Sequence, residues 1–566
     1  MTPLLIVVVY LVLLLGLGFL SSRRFRGTSR DFFVASHSVG PFLLLMSVFG
    51  TTMTAFALVG STGKAFERGI GVYGLMASMS ALVHVAVFFF LGVRLWSIGK
   101  KNGFVTQIQF FRARFNSVGI GYVLFPVLVM LVIPYLLIGI IGAGKTLLPV
   151  TSGAFPGLFP NAATPQWAGG IPVWLTGLVV CGVVLTYVFM GGSRGAAWAN
   201  TFQTLVFMAM GVVAFFFISR SLGGLEQATQ ISAQFDESGA LVQTHRYDAA
   251  TGSLEVNDPP KVVGRYTGPA ERDVAGRRPL LSRTPTQVEL QTSHPATGEI
   301  IEFSRQYGIG KWVFLTYLFI PLSAGMFPHL FQHWLTARSA RAFRLTIIGH
   351  PICILIVWVP CVLIGTWATG VLAPLESSKV GSVLGSMVAL LVGSPILTGL
   401  LTAGVLAAIM SSLDSQFLSL GTMFTNDIVL HAVGKDRFSD RQIIVIARSF
   451  VVGVVGVTYA LSLMAPGNIF DMAVWCFTGF SALVPLVVAS IYWRRTSLAG
   501  AYASIAVAVG TWAYFFRASG YGGEYAVGPG IIPAAVCVLA SAVVLVGVSL
   551  VTRPPDEATL AKFFRN

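Results

Sequence analysis

The residues best suited to chemistry lie in one apolar stretch, Ala407-Ala408-Ile409-Met410-Ser411-Ser412-Leu413-Asp414-Ser415-Gln416. Hydroxyls and a carboxylate at membrane depth are costly unless they pair or bind something. Hard cations favour oxygen ligands, which serine hydroxyls, a carboxylate and unwound-helix carbonyls all supply. Ser411, Asp414 and Ser415 share a helix face by their three- and four-residue spacing, with Ser412 to one side, so two neighbouring ion positions are geometrically conceivable. Two serines alone would serve equally well to let helices approach closely. A carboxylate in the same turn tips the reading to function.

Two other stretches are interrupted in informative places. One is Phe49-Gly50-Thr51-Thr52-Met53-Thr54; the other carries Pro321, Ser323, Gly325 and Pro328. Glycine and proline weaken helical hydrogen bonding, so both stretches can unwind locally. Broken helices at matching positions of two halves point to an inverted-repeat transporter with its site near the midplane. The remaining polar residues take blander readings. His84 reads as a core histidine, and His329 and His333 as structural rather than metal-binding for want of a third ligand. Glu67 and Arg68 read as a pair at the external mouth, Asp427 as a cap and Asp471 as a candidate gate residue.

The elements that position these residues follow from composition. Of 566 residues, 55% are apolar and only 10% charged, with a mean hydropathy of +0.78, whereas soluble domains carry about 25% charged residues. Thirteen apolar spans between residues 3 and 552, most long enough to cross a bilayer, predict an all-helical polytopic membrane protein. The net charge of +15 lies in short turns, among them Arg23, Arg24, Arg26, Arg30 and Lys435. That distribution argues against nucleic acid and, by the positive-inside rule, for an N-terminus outside and a C-terminus inside the cell membrane. No removable signal peptide is expected, and the five cysteines read as small packing residues. The expected organisation is a leading helix and loop (1–38), a first five-helix repeat (39–220), an extracellular, β-rich insertion (221–310), a second repeat (311–495), and two trailing helices with a tail (496–566).

Specific stretches then resemble one family: Val39-Gly40-Pro41-Phe42; Tyr187 through Gly191-Gly192-Ser193-Arg194 to Trp198 and Gln203; Pro328-His329 with Ala337-Arg338; Met410-Ser411-Ser412 through Thr425-Asn426-Asp427-Ile428; and Tyr492-Trp493-Arg494-Arg495. Their order resembles the sodium:solute symporters, the group containing the sodium/proline and sodium/glucose transporters. The resemblance implies a leucine-transporter-like 5+5 inverted repeat and Na+ as the coupling ion. It places a sodium on the carbonyls of Gly50, Met53 and Ala408 and the hydroxyls of Ser411 and Ser412. It also implies a solute pocket lined by Thr52, Thr54, Ala55 and Phe56, by Ile320, Ala324 and Phe327, and by Tyr135.

One departure stands out. Family members often carry an acid where this chain has Asn200, while Asp414 occupies a position that is usually a hydroxyl. The carboxylate has moved across the cavity, and Asp414, Ser415 and Asn200 form a candidate second sodium or proton site. Thr52 and Thr54 as donors to a carboxylate mildly favour a small carboxylate or amino acid as solute. The expected function is sodium-coupled uptake, with proton coupling through Asp414 as the runner-up and a transporter-like sensor as a weaker one. No enzyme motif is present in context, and no obligatory protein partner is evident.

Overall fold

The computed structural model describes residues 1–23, 28–34, 39–160, 167–248, 251–269, 273–282, 284–293, 297–434, 437–464 and 468–564. Arg24, Arg26 and Lys435 of the expected basic turns lie outside these residues.

Ten helices are long and apolar enough to cross a membrane, and two further helix pairs meet the same test when each bent pair is taken as one span. The first pair, Pro41–Thr52 and Phe56–Arg68, bends by 57°; the second, Lys311–Gly325 and Pro328–Thr336, bends by 55°. Both breaks have local causes. At the first, Met53 leaves the helix (φ −87, ψ 95) while its N–H still bonds to the Phe49 carbonyl. At the second, Pro328 opens the following helix and holds Phe327 extended (φ −65, ψ 120). Proline tolerates the first helical position and disfavours a helical residue before it.

The two spans expected near 171–190 and 198–219 are two helices within Val173–Ser221 that meet at a kink at Gly192 (φ 55, ψ −151). A Cβ there would lie 3.0 Å from both the Cα and the carbonyl oxygen of Phe32. Only glycine combines that left-handed backbone with so close a neighbour.

The Pro395–Val433 helix is the most buried of the spanning elements among the described residues, with 83% of its most apolar window inside the protein. It packs against Val173–Ser221, Thr2–Ser22 and Gly119–Val150. Its serines and carboxylate therefore face protein rather than lipid.

The fold is mostly helical, but not wholly so. Between the two broken helices the chain forms a five-stranded antiparallel sheet in sequential order. Its strands are β1 (Gln234–Phe235), β2 (Ala240–Asp248), β3 (Ser253–Tyr266), β4 (Thr286–Ser293) and β5 (Ile300–Tyr307). In β4, Val288 and Leu290 point inward and Gln287 and Glu289 outward, a half-buried alternation. They join Phe235, Leu241, Val263 and Leu280 in a small apolar core separate from that of the helices. The sheet grips the end of the first broken helix: Arg68 Nη1 donates to the Gln306 carbonyl at 2.7 Å, and Gly308 N–H to the Arg68 carbonyl at 2.8 Å. On its other side, Gln243 Nε2 donates to the carbonyls of Thr369 and Leu372, each at 2.7 Å.

Candidate ion and solute sites

The Ser411 hydroxyl lies 2.8 Å from the Gly50 carbonyl and 2.9 Å from the Ala408 carbonyl. Of the five oxygens expected to hold sodium, the Ser411 hydroxyl is thus within hydrogen-bond distance of two others, one of them across the gap between the first broken helix and the Pro395–Val433 helix. Gly50 is also what lets Val173–Ser221 come close on another side, where a Cβ would meet the Thr204 hydroxyl at 2.3 Å. Ser412 belongs to the same turn, its Oγ accepting from Gln416 Nε2 at 2.7 Å. Met53 sits at the break itself. This set of neutral oxygens, fully buried at Ser411 and nearly so at Ser412, fits a hard monovalent cation better than a soft or divalent one.

One turn further along, Asp414 is fully buried. Its Oδ2 accepts from the Tyr187 phenol at 2.9 Å and its Oδ1 from the Ser415 hydroxyl at 2.9 Å. Asn200, from the opposite helix, completes the set. With its amide nitrogen toward Asp414 it donates at 2.8 Å and 3.0 Å to the two carboxylate oxygens, while its oxygen faces Ser415 at 2.9 Å. His333 Nε2 lies 2.9 Å from the Ser415 hydroxyl. Asp414, Ser415 and Asn200 are therefore brought together, and no lysine or arginine among the described residues forms an ion pair with Asp414.

Between the two broken helices lies a small cavity of about 30 Å³, room for one or two water-sized groups in this conformation. Thr52, Phe56, Tyr135, Ile320 and Phe327 line it, as expected from the resemblance; Thr54, Ala55 and Ala324 do not. The Thr54 hydroxyl oxygen accepts from the Phe56 N–H at 3.0 Å, and Ala55 faces the backbone of Gly142. Thr52 has its proton engaged as well, donating to the Phe49 carbonyl at 2.8 Å, with His350 Nε2 at 3.2 Å. Thr52 is therefore not the free donor that the sequence suggested, and Thr54, whose hydroxyl oxygen accepts from Phe56, lies outside the cavity lining. Phe56 closes one side of the cavity against Phe470 and Phe477, with ring centres 5.0 Å and 5.1 Å away.

A family model for the sodium:solute symporters matches residues 32–508. The chain belongs to the sodium:solute symporter family.

Among its relatives, the sodium/pantothenate symporter of Escherichia coli (strain K12) is 25% identical, the match covering 88% of this chain and 87% of that one. Sodium/proline symporter 2 of Staphylococcus saprophyticus is 21% identical over 88% of this chain and 83% of its own length. The osmoregulated proline transporter OpuE of Bacillus subtilis is 31% identical, but over only 30% of this chain and 33% of that protein. The solved structure of a Na+-coupled sialic acid symporter, substrate-bound and outward-open, superposes with a TM-score of 0.68 at 15% identity, covering 98% of this chain and 99% of that one. The fold is thus the leucine-transporter-like one. The protein is a multi-pass membrane symporter coupled to sodium, not an enzyme.

In this symporter the residues that sequence reasoning missed are as informative as those it found. His84 and Trp358 line the central cavity, although His84 reads from sequence as a core histidine. Ser80 lines it too, and the four-residue spacing of Ser80 and His84 within an apolar helix was the available signal. Trp358 has none. At the sheet end, Glu67 and Arg68 do not pair with each other. Lys64 instead lies 3.1 Å from Asp471, 3.1 Å from Glu524 and 3.5 Å from Glu67. Arg68 bonds Glu524 at 2.5 Å, and Arg305 approaches Glu67 at 4.0 Å. These groups border a solvent-open vestibule of about 2220 Å³. Asp427 holds Arg112 in place, its carbonyl accepting at 2.8 Å and its carboxylate lying 3.8 Å from the guanidinium.

Proposed function

We propose that this symporter imports a small organic solute by alternating access, with sodium bound by Gly50, Met53, Ala408, Ser411 and Ser412. The observation that carries the reading is the Ser411 hydroxyl bridging the Gly50 and Ala408 carbonyls at 2.8 Å and 2.9 Å. A sodium entering there exchanges two hydrogen bonds for ion–oxygen contacts and ties the broken helix to its neighbour. The solute cavity is a few residues away, at Thr52 and Phe56. The basic turns support a sheet end facing outward and a C-terminus facing inward. The two broken helices support two five-helix repeats, 39–220 and 311–495, separated by the insertion. Relatives that carry proline or pantothenate support a small carboxylate or amino acid as the solute class.

A second ion at Asp414 is favoured by its neutral surroundings. A buried carboxylate with no cationic partner is costly, and either a sodium or a proton removes that cost. Ser415 and Asn200 supply the adjoining oxygens.

The test is sodium-dependent stability of the purified protein in sodium, potassium and choline chloride at matched ionic strength. A ligand that binds only the folded state raises its stability by mass action. Wild type should gain stability selectively in sodium, and Ser411→Ala with Ser412→Ala should weaken the apparent sodium affinity by more than about tenfold, the equivalent of about 1.4 kcal/mol. An unchanged sodium affinity in the double variant refutes this ion site.

A further inference from the structure

We propose that the central cavity selects a carboxylate-bearing solute that lacks an ammonium group, with Trp358 and His84 as its polar contacts. The proposal rests on the symport reading of that cavity and names its solute class.

Two buried nitrogens from different helices line the same cavity without a hydrogen-bond partner among the described residues: Trp358 Nε1, on Ala342–Ala368, and His84 Nδ1, on the helix spanning Gly74–Asn102. Trp358 is 2% exposed and His84 7%. Buried polar groups are nearly always satisfied, so an orphan in a native interior calls for an explanation. Two orphans on one cavity share a simple explanation, a ligand that satisfies both.

The chemistry of the wall then restricts that ligand. An indole N–H is a donor only, so the solute must offer an acceptor to Trp358. Thr52 does not compete, because its proton is committed to the Phe49 carbonyl. His350 is committed to Thr52 through Nε2 at 3.2 Å, and its ring sits edge-on against that of His84, centres 5.2 Å apart, which fixes the orientation of the pair. A carboxylate presents two acceptor oxygens, one for Trp358 and one for His84.

Among the described residues, no aspartate or glutamate lines the cavity. A primary ammonium entering it would give up its water with no counter-charge in reach. A carboxylate has one available in the co-transported sodium, whose proposed site adjoins Thr52. Sodium and a monocarboxylate together enter as a neutral pair, the cheapest form in which a charge can be held at membrane depth. Phe327 and Phe477 supply apolar surface for the remainder of the solute.

The experiment uses the full-length protein in sodium chloride. Intrinsic tryptophan fluorescence and thermal stability are followed while three amino acids are titrated beside their deaminated analogues: L-alanine with propionate, L-phenylalanine with 3-phenylpropionate, and L-proline with cyclopentanecarboxylate. At least one analogue should bind at least tenfold more tightly than its amino acid. Trp358→Phe, which keeps a ring and removes the N–H, and His84→Phe should each weaken that affinity at least tenfold. His84→Asn, which returns an N–H near the position of Nδ1, should recover part of the loss and serves as the check on folding. Amino acids binding as tightly as their analogues, an unchanged affinity in Trp358→Phe, or no binding by any of the six probes each overturn the proposal. The sodium-induced rise in stability measured without solute judges the symport reading separately.

Discussion

Two groups of acids in the molecule sit in opposite surroundings. At the sheet end, Glu67, Asp471 and Glu524 surround Lys64, with Arg68 and Arg305 at the margins. In the centre, Asp414 is held by a phenol, a hydroxyl and an amide, all neutral. Burying a charge is tolerable only when the charge is compensated. The sheet end is compensated within the polypeptide and is therefore a permanent lattice. On our reading Asp414 is compensated by what the protein carries, so its charge balance changes during the transport cycle.

The contrast can be broken most directly at Lys64. Its side chain is only 5% exposed and serves three carboxylates, so Lys64→Met should cost about 3–5 kcal/mol of stability, the range for breaking a buried pair. Thermal unfolding in detergent reads this loss; wild-type stability in the variant would mean the lattice holds nothing together. Asp414→Asn is the converse case. It keeps the size of the side chain and removes a charge that has no internal cation. Stability in sodium-free buffer should therefore stay within about 1 kcal/mol of wild type, while the ion-dependent part of the stability falls. A loss of several kcal/mol without sodium would reveal a charged Asp414 that the protein itself satisfies.

The smallest effect is expected at Glu524, in the loop before the last spanning helix. Burial tends to raise its pKa, but the nearby Lys64 and Arg68 charges outweigh that and bring it from 4.5 down to about 2. A depressed carboxylate stabilises the fold above its unfolded value, and that contribution is lost as pH falls from about 4.5 toward 2. Its side chain is 48% exposed, and solvent screening keeps the contribution modest. Glu524→Gln should flatten this part of the acid limb in a stability–pH profile; an unaltered limb would remove Glu524 from the lattice.

The two regions also differ in how far the sequence disclosed them. The proposed central ion site draws on local signals: Gly50 and Met53 within one polar patch, Pro328 opening a helix, and Ser411, Ser412 and Asp414 within one turn. Even the tie between Asn200 and Asp414 leaves a trace, since an amide and a carboxylate each interrupt an apolar run. The sheet-end lattice leaves none. Lys64 meets Asp471 and Glu524 across 407 and 460 residues of chain, and Glu67 next to Arg68 looks like a pair only in one dimension. His84 was obscured differently, because an apolar run gives the same pattern around a core histidine and a cavity histidine. The two helices within Val173–Ser221 meet at Gly192, and there the sequence does mark the break, with Gly191-Gly192 between two apolar runs.

The small sheet is tied to the ends of two neighbouring helices of the bundle at once. Gln306 and Gly308 grip Arg68 at the end of the first broken helix, while Gln243 grips the carbonyls of Thr369 and Leu372 beyond Ala342–Ala368. Five antiparallel strands with their own core make a stiff body, so it behaves as a tie-rod between those attachment points. The two helix ends cannot separate at the sheet without either breaking these hydrogen bonds or carrying the sheet along. Whatever pulls on the sheet from outside is therefore felt as tension at the mouth of the vestibule.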